Sequence, residues 1–137
     1  MPKITVNGVS LNYQEQGKGE ETILFVHGLL FNHHMFDAQV DAFKSNYRCI
    51  AFDLRGQGES EVTRKGYDMG NLTRDTVALI KALDCGPCHF VGLSMGGFIG
   101  MRLAISHPKL LRSLSLLATS ADPEPGENVF KYRCYWI

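Results

Sequence analysis

Gly92-Leu93-Ser94-Met95-Gly96 spells G-x-S-x-G, the spacing of a serine held on a sharp strand-to-helix turn. Such a turn raises the serine hydroxyl above the end of a sheet, where it can attack a carbonyl carbon. Small residues two before and two after it let neighbouring backbone pass close by. The helix starting beneath offers unpaired N–H groups and a positive dipole end to the oxyanion that the attack creates. The chemistry implied is acyl transfer through Ser94. The oxyanion needs two donors. The Met95 amide supplies one, and the Leu29 amide, in the loop opened by His27-Gly28, supplies the other. Backbone donors leave the side chains at both positions free to vary. His27 reads as a hydrogen-bonded structural histidine rather than a base. A third motif, Asp53-Leu54-Arg55-Gly56-Gln57-Gly58-Glu59-Ser60, reads as a strand end leading into a tight loop. Asp53 and Arg55 are placed there for ion pairing or backbone contacts. Gly28, Asp53, Gly92 and Gly96 thus support the site.

These residues need particular elements beneath them. His89 to Leu93 is a buried strand, and Met95 to Ser106 is a helix apolar on nearly every side, hence central, ended by Pro108. Thr22 to Val26 and Tyr47 to Phe52 are further buried strands, and Leu114 to Ala118 is a fourth. Met35 to Phe43 has helical spacing. Asp68 caps a helix that runs to about Leu83 and is stopped by Gly86-Pro87. At the start, Ile4-Thr5-Val6 and Val9 to Tyr13 flank Asn7-Gly8, a hairpin turn signal. Roughly six strands follow from this count. The expected fold is α/β: a mostly parallel sheet with helices on both faces and an N-terminal antiparallel hairpin at one edge. Residues 1–120 form this core. Residues 121–137 read as a linker and the start of a further region, dense in aromatics (Phe130, Tyr132, Tyr135, Trp136).

Bulk properties narrow the function classes. Among 137 residues, Lys plus Arg and Asp plus Glu are fourteen each, so no basic field exists to hold nucleic acid or an anionic membrane. No apolar run is long enough to span a bilayer and no export signal opens the chain, so a cytoplasmic setting with reduced thiols is expected. Cys85-Gly86-Pro87-Cys88 matches a thiol redox motif, but that chemistry needs the first cysteine at a helix N-terminus. Here a helix precedes the motif and a strand follows, so a helix-stop turn with two incidental thiols is the expected reading. Cys85, Cys88 and His89 lack an evident fourth ligand, so no metal site is expected.

The three motifs, in this order, resemble the α/β-hydrolase superfamily over about residues 4 to 128. The resemblance is to the serine hydrolase branch with H-G, D-x-R-G-x-G-x-S and G-x-S-x-G motifs, which includes carboxylesterases, lactonases and C–C bond hydrolases. It implies that Ser94 is the nucleophile, that Leu29 and Met95 supply the oxyanion donors, and that no cofactor is needed. The expected substrate is a small carboxylic ester, lactone or related carbonyl compound. Dehalogenases and epoxide hydrolases of this fold carry aspartate at the nucleophile position, so the serine counts against those activities.

The resemblance also implies a lid, further strands, an acidic residue and a histidine after the nucleophile. The sequence carries only the N-terminal portion of that core. His107 lies roughly 20 Å along the helix from Ser94 at about 1.5 Å rise per residue. His89 begins the strand whose far end carries Ser94. His33 and His34 are expected at the entrance or in solvent. With no base in reach, the chain alone is expected to hydrolyse little. The alternative to an enzyme is a non-catalytic half-fold that pairs with another chain, or with itself, through the uncovered edge of the Leu114 strand.

Overall fold

The computed structural model describes residues 2–123 and 125–128. The expected aromatic segment from Val129 onward, including Cys134, lies outside the described residues. Six strands form one sheet: β1 (Lys3–Val6), β2 (Val9–Gln16), β3 (Thr22–Val26), β4 (Arg48–Phe52), β5 (Cys88–Leu93) and β6 (Leu111–Leu117), in the order β1-β2-β4-β3-β5-β6. β1 and β2 form the antiparallel hairpin, with Asn7 at φ 46° and Gly8 at φ 72°, the two left-handed positions that the Asn-Gly turn requires. β2 joins β4 antiparallel, and the β4, β3, β5 and β6 pairings are all parallel.

Among the described residues three α-helices, α1 (Asp37–Phe43), α2 (Met69–Ala82) and α3 (Met95–Ser106), cover the two faces. Alternation along the strands divides the core. Leu24, Val26, Ile50, Phe52 and Phe90 pack with Leu72, Leu79 and Ile80 of α2 and Ile99 and Leu103 of α3. Ile23, Phe25, Cys49 and Ala51 face the other way, onto Phe36 and Val40. With strands on both sides and helices above and below, β3 is buried at all five residues, which is why it reads as an unbroken apolar run.

Four expectations need correction. The helix expected from Met35 begins earlier, as a 3-10 turn at His33–Phe36, because Asn32 caps it by accepting the His34 amide. α2 starts at its Asp68 cap as expected but is not stopped by Gly86-Pro87. Asp84 takes the left-handed position (φ 48°), and the amides of Asp84 and Cys85 bond to the carbonyls of Lys81 and Ile80, closing a Schellman turn two residues earlier. α3 is one-sided: Gly96, Ile99, Gly100 and Leu103 are buried, but Arg102, Ile105 and Ser106 face outward. The strand expected buried at Leu114 to Ala118 is the edge strand β6, mostly exposed, because among the described residues only β5 pairs with it.

Candidate active site

Ser94 stands between the end of β5 and the first turn of α3, at φ 51° and ψ −111°. A non-glycine residue there carries backbone strain, which the surroundings must hold. They do so from two sides. The Ser94 amide donates to the carbonyl of Leu117, and the hydroxyl of Thr119 donates to the Ser94 carbonyl, both at 2.9 Å. Thus the end of β6 clamps the elbow. The Ser94 side chain is half-buried, and its hydroxyl makes no hydrogen bond among the described residues.

The glycines near the elbow are sterically required. A methyl group on Gly92 would lie 2.5 Å from the Gly96 carbonyl oxygen, and one on Gly96 would collide with the carbonyl of Val26. A methyl group on Gly28 would come within 3.3 Å of Ser94 Cβ. The loop after β3 therefore lies directly against the serine. Leu29 and Met95 meet again as walls of one cavity of about 530 Å³. Leu30, next in that loop, sits at φ 65°, and its amide donates to Gln57 Oε1 at 2.6 Å.

His27 is fully buried. The Leu54 amide donates to its Nε2 at 3.0 Å, which leaves the proton on Nδ1, 2.7 Å from the Gly28 carbonyl. Burial pushes its pKa below the usual histidine value, against the opposing bond to Gly28. Both ring nitrogens are spent on holding the loop that carries Leu29, so His27 is structural.

Asp53 is also fully buried, at the end of β4. One carboxylate oxygen accepts from the His33 amide (2.8 Å) and from His33 Nδ1 (2.7 Å). The other accepts from Asn12 Nδ2 and the Glu59 amide, both at 2.9 Å. Burial alone would raise this carboxyl; the four donors outweigh it and hold its pKa below the usual range. His33, expected at the entrance or in solvent, is instead buried against Asp53, because only a partner could compensate that carboxylate so deep in the fold. Its Nε2 has no partner among the described residues. Arg55 pairs with Asp75 of α2, not with Asp53.

The other imidazoles are engaged elsewhere: His34 with Asp37, His89 with Glu21 and Ser113, and His107 with Ser106. Among the described residues none bonds to Ser94. Cys85 and Cys88 are buried free thiols, with pKa values pushed up to about 11 and about 12, chiefly by burial. Such thiols are poor nucleophiles, which counts against a thiol redox role for the motif. No group of His, Cys, Asp and Glu suited to a metal ion occurs among the described residues.

Gln57, Thr119, Asn12 and Asp75 escaped the sequence reading. Each acts on a residue at least twenty positions away, so no local spacing announces it. Gln57 lies inside a motif already singled out, but its identity there carried no signal.

The comparisons with known proteins agree with this architecture. A Mycobacterium tuberculosis protein named as a non-heme bromoperoxidase is 37% identical over 127 residues, which is 89% of this chain and 47% of that protein. The crystal structure of an enol-lactonase from Burkholderia xenovorans superposes with a TM-score of 0.90 at 31% identity, covering 98% of this chain and 52% of that one. A mutant epoxide hydrolase from Bacillus megaterium matches with a TM-score of 0.82 at 32% identity, covering 86% of this chain and 42% of that one. The chain spans about half the length of the relatives it matches. The names of these relatives span three chemistries, so the likeness establishes the scaffold and leaves the reaction to the residues set on it. The model of the α/β hydrolase fold matches residues 21–133, and with the sheet order, the strained serine and these relatives it shows that the chain belongs to the α/β-hydrolase family.

Proposed function

We propose that the chain carries the nucleophile half of a serine hydrolase acting on a carboxylic ester, lactone or related carbonyl compound. Ser94 Oγ attacks the carbonyl carbon, the amides of Leu29 and Met95 receive the oxyanion, and water later cleaves the acyl-enzyme. The observation that carries this reading is the strained Ser94 backbone with the Gly28 loop packed against it. A serine at this point favours acyl transfer over the alkyl transfer that an aspartate would perform. The enol-lactonase among the relatives supports a lactone or ester substrate. Three buried free thiols among the described residues fit a reducing, cytoplasmic setting.

The attack needs a base, and no imidazole among the described residues bonds to Ser94. The chain by itself is therefore expected to hydrolyse p-nitrophenyl butyrate no faster than its Ser94→Ala variant. Fused to the remaining half of the enol-lactonase relative, it is expected to gain turnover that Ser94→Ala reduces at least about 10³-fold. A folded fusion whose turnover ignores that substitution would refute the nucleophile assignment.

A second reading rests on β6. Among the described residues this strand pairs only with β5, and it exposes Leu116 and Leu117, as expected for a half-fold that associates through its sheet edge.

A further inference from the structure

The cavity beside the elbow has walls of an unusual kind. Six of its lining residues are apolar or aromatic: Leu29, Leu30, Val62, Tyr67, Leu72 and Met95. Leu30 and Val62 are more than three-quarters exposed and gather with Leu29 and Tyr67 at one cavity, an apolar patch rather than scattered side chains. Its volume, about 530 Å³, suits a small ligand.

The charged and hydroxyl groups among the described wall residues are consumed internally. Arg55 is the one charged lining residue among the described residues, and all five of its N–H groups are used. Nε and Nη2 donate to the two oxygens of Asp75 at 2.8 and 2.7 Å. Nη1 donates to Thr63 Oγ1 and the Lys65 carbonyl, and Nη2 also to the Asn7 carbonyl. Asp75 is itself buried and neutralises the guanidinium. The Tyr67 hydroxyl donates to the Thr63 carbonyl at 2.7 Å and accepts the Thr63 amide at 2.8 Å. Gln57 Oε1 is taken by the Leu30 amide, so the neutral Gln57 Nε2 amide is the side-chain donor left unbonded among the described wall residues. Among the described residues the cavity thus offers an entering carboxylate no free cation, and burial of an unpaired charge would be costly.

We infer that this cavity holds an uncharged alkyl or aryl arm of the ester or lactone whose carbonyl meets the amides of residues 29 and 95. The assignment rests on the Ser94 reading and sharpens it: the enzyme prefers a neutral, apolar arm over one that ends in a carboxylate. Leu29 and Met95 link the two regions, since each lines the cavity and supplies an oxyanion amide.

The test is a titration of the ¹⁵N-labelled chain with γ-nonalactone, followed by amide chemical shifts. Shifts are expected at Leu30, Val62 and Leu72, together with Leu29 and Met95. A γ-lactone whose arm of equal length ends in a carboxylate is expected to bind at least about tenfold more weakly, as is γ-nonalactone to Val62→Asp, a change at an exposed position. Equal affinity for the two lactones, indifference to Val62→Asp, or shifts confined to other surfaces would overturn the assignment. Ser94-dependent turnover of the fusion reads the nucleophile separately. Turnover without cavity shifts overturns the cavity alone, whereas cavity shifts without Ser94 dependence keep the cavity and remove the nucleophile.

Discussion

A methyl group on Gly96 would strike the carbonyl of Val26 and come within 3.0 Å of that of His27, so α3 can approach β3 only with glycine at that position. Neither obstacle is a flexible side chain. Gly96→Ala is accordingly expected to cost about 3 kcal/mol of unfolding free energy. Gly126 meets nothing within 4 Å of an added methyl, so Gly126→Ala serves as the control and should leave the urea midpoint unchanged. Equal midpoints for the two variants would contradict the packing described. The requirement for a small residue at position 96 was readable from the motif, because it follows from the geometry of any such turn. His33 was not readable. Its burial is decided by a carboxylate twenty positions on, and two adjacent histidines in a loop look alike until one of them meets Asp53.

At the scale of elements, the Asp53 carboxylate is a junction. It ties β2 through Asn12, the 3-10 turn through His33, and the loop after β4 through Glu59, all to the end of β4. Its folded pKa lies below its unfolded one, so its contribution is complete above the unfolded value of about 3.9 and is lost as pH falls through the lower folded value. His27, also lowered, works at a higher window. Its contribution is complete above about 6.5 and declines as acid favours the unfolded chain, where the ring can take a proton. Urea midpoints are therefore expected to fall modestly from pH 7 to 5 and more steeply below 4. Asp53→Asn should lower the plateau by about 3 kcal/mol, since it breaks a buried pair, and flatten the steeper branch. An unchanged acid branch in that variant would place the acid sensitivity in other carboxylates. The elements themselves were largely legible, since the hairpin turn, the Asp68 cap and the buried strands obey local rules. The exposure of β6 was not, because burial of a strand depends on what lies beyond it. Its mostly apolar stretch Leu114-Ser115-Leu116-Leu117-Ala118 is compatible with an interior place or an edge.

For the whole molecule, the two edges of the sheet differ. The β1 edge is four residues long, carries Lys3 and closes a tight hairpin, all features that discourage further pairing. The β6 edge is seven residues long, bears a single charge at Arg112, and exposes Leu116 and Leu117. Association should therefore run through β6 alone. Light scattering across a dilution series is expected to show a mass that rises with concentration, and Leu116→Lys should return the chain toward monomer while Lys3→Leu does not. Fusion to the missing half of a relative covers the same edge, so the fused protein should be monomeric at concentrations where the chain associates. A chain that stays monomeric throughout, or one whose association survives in the fusion, would place any contact elsewhere and leave β6 as an edge that its own twist and short exposed face suffice to protect.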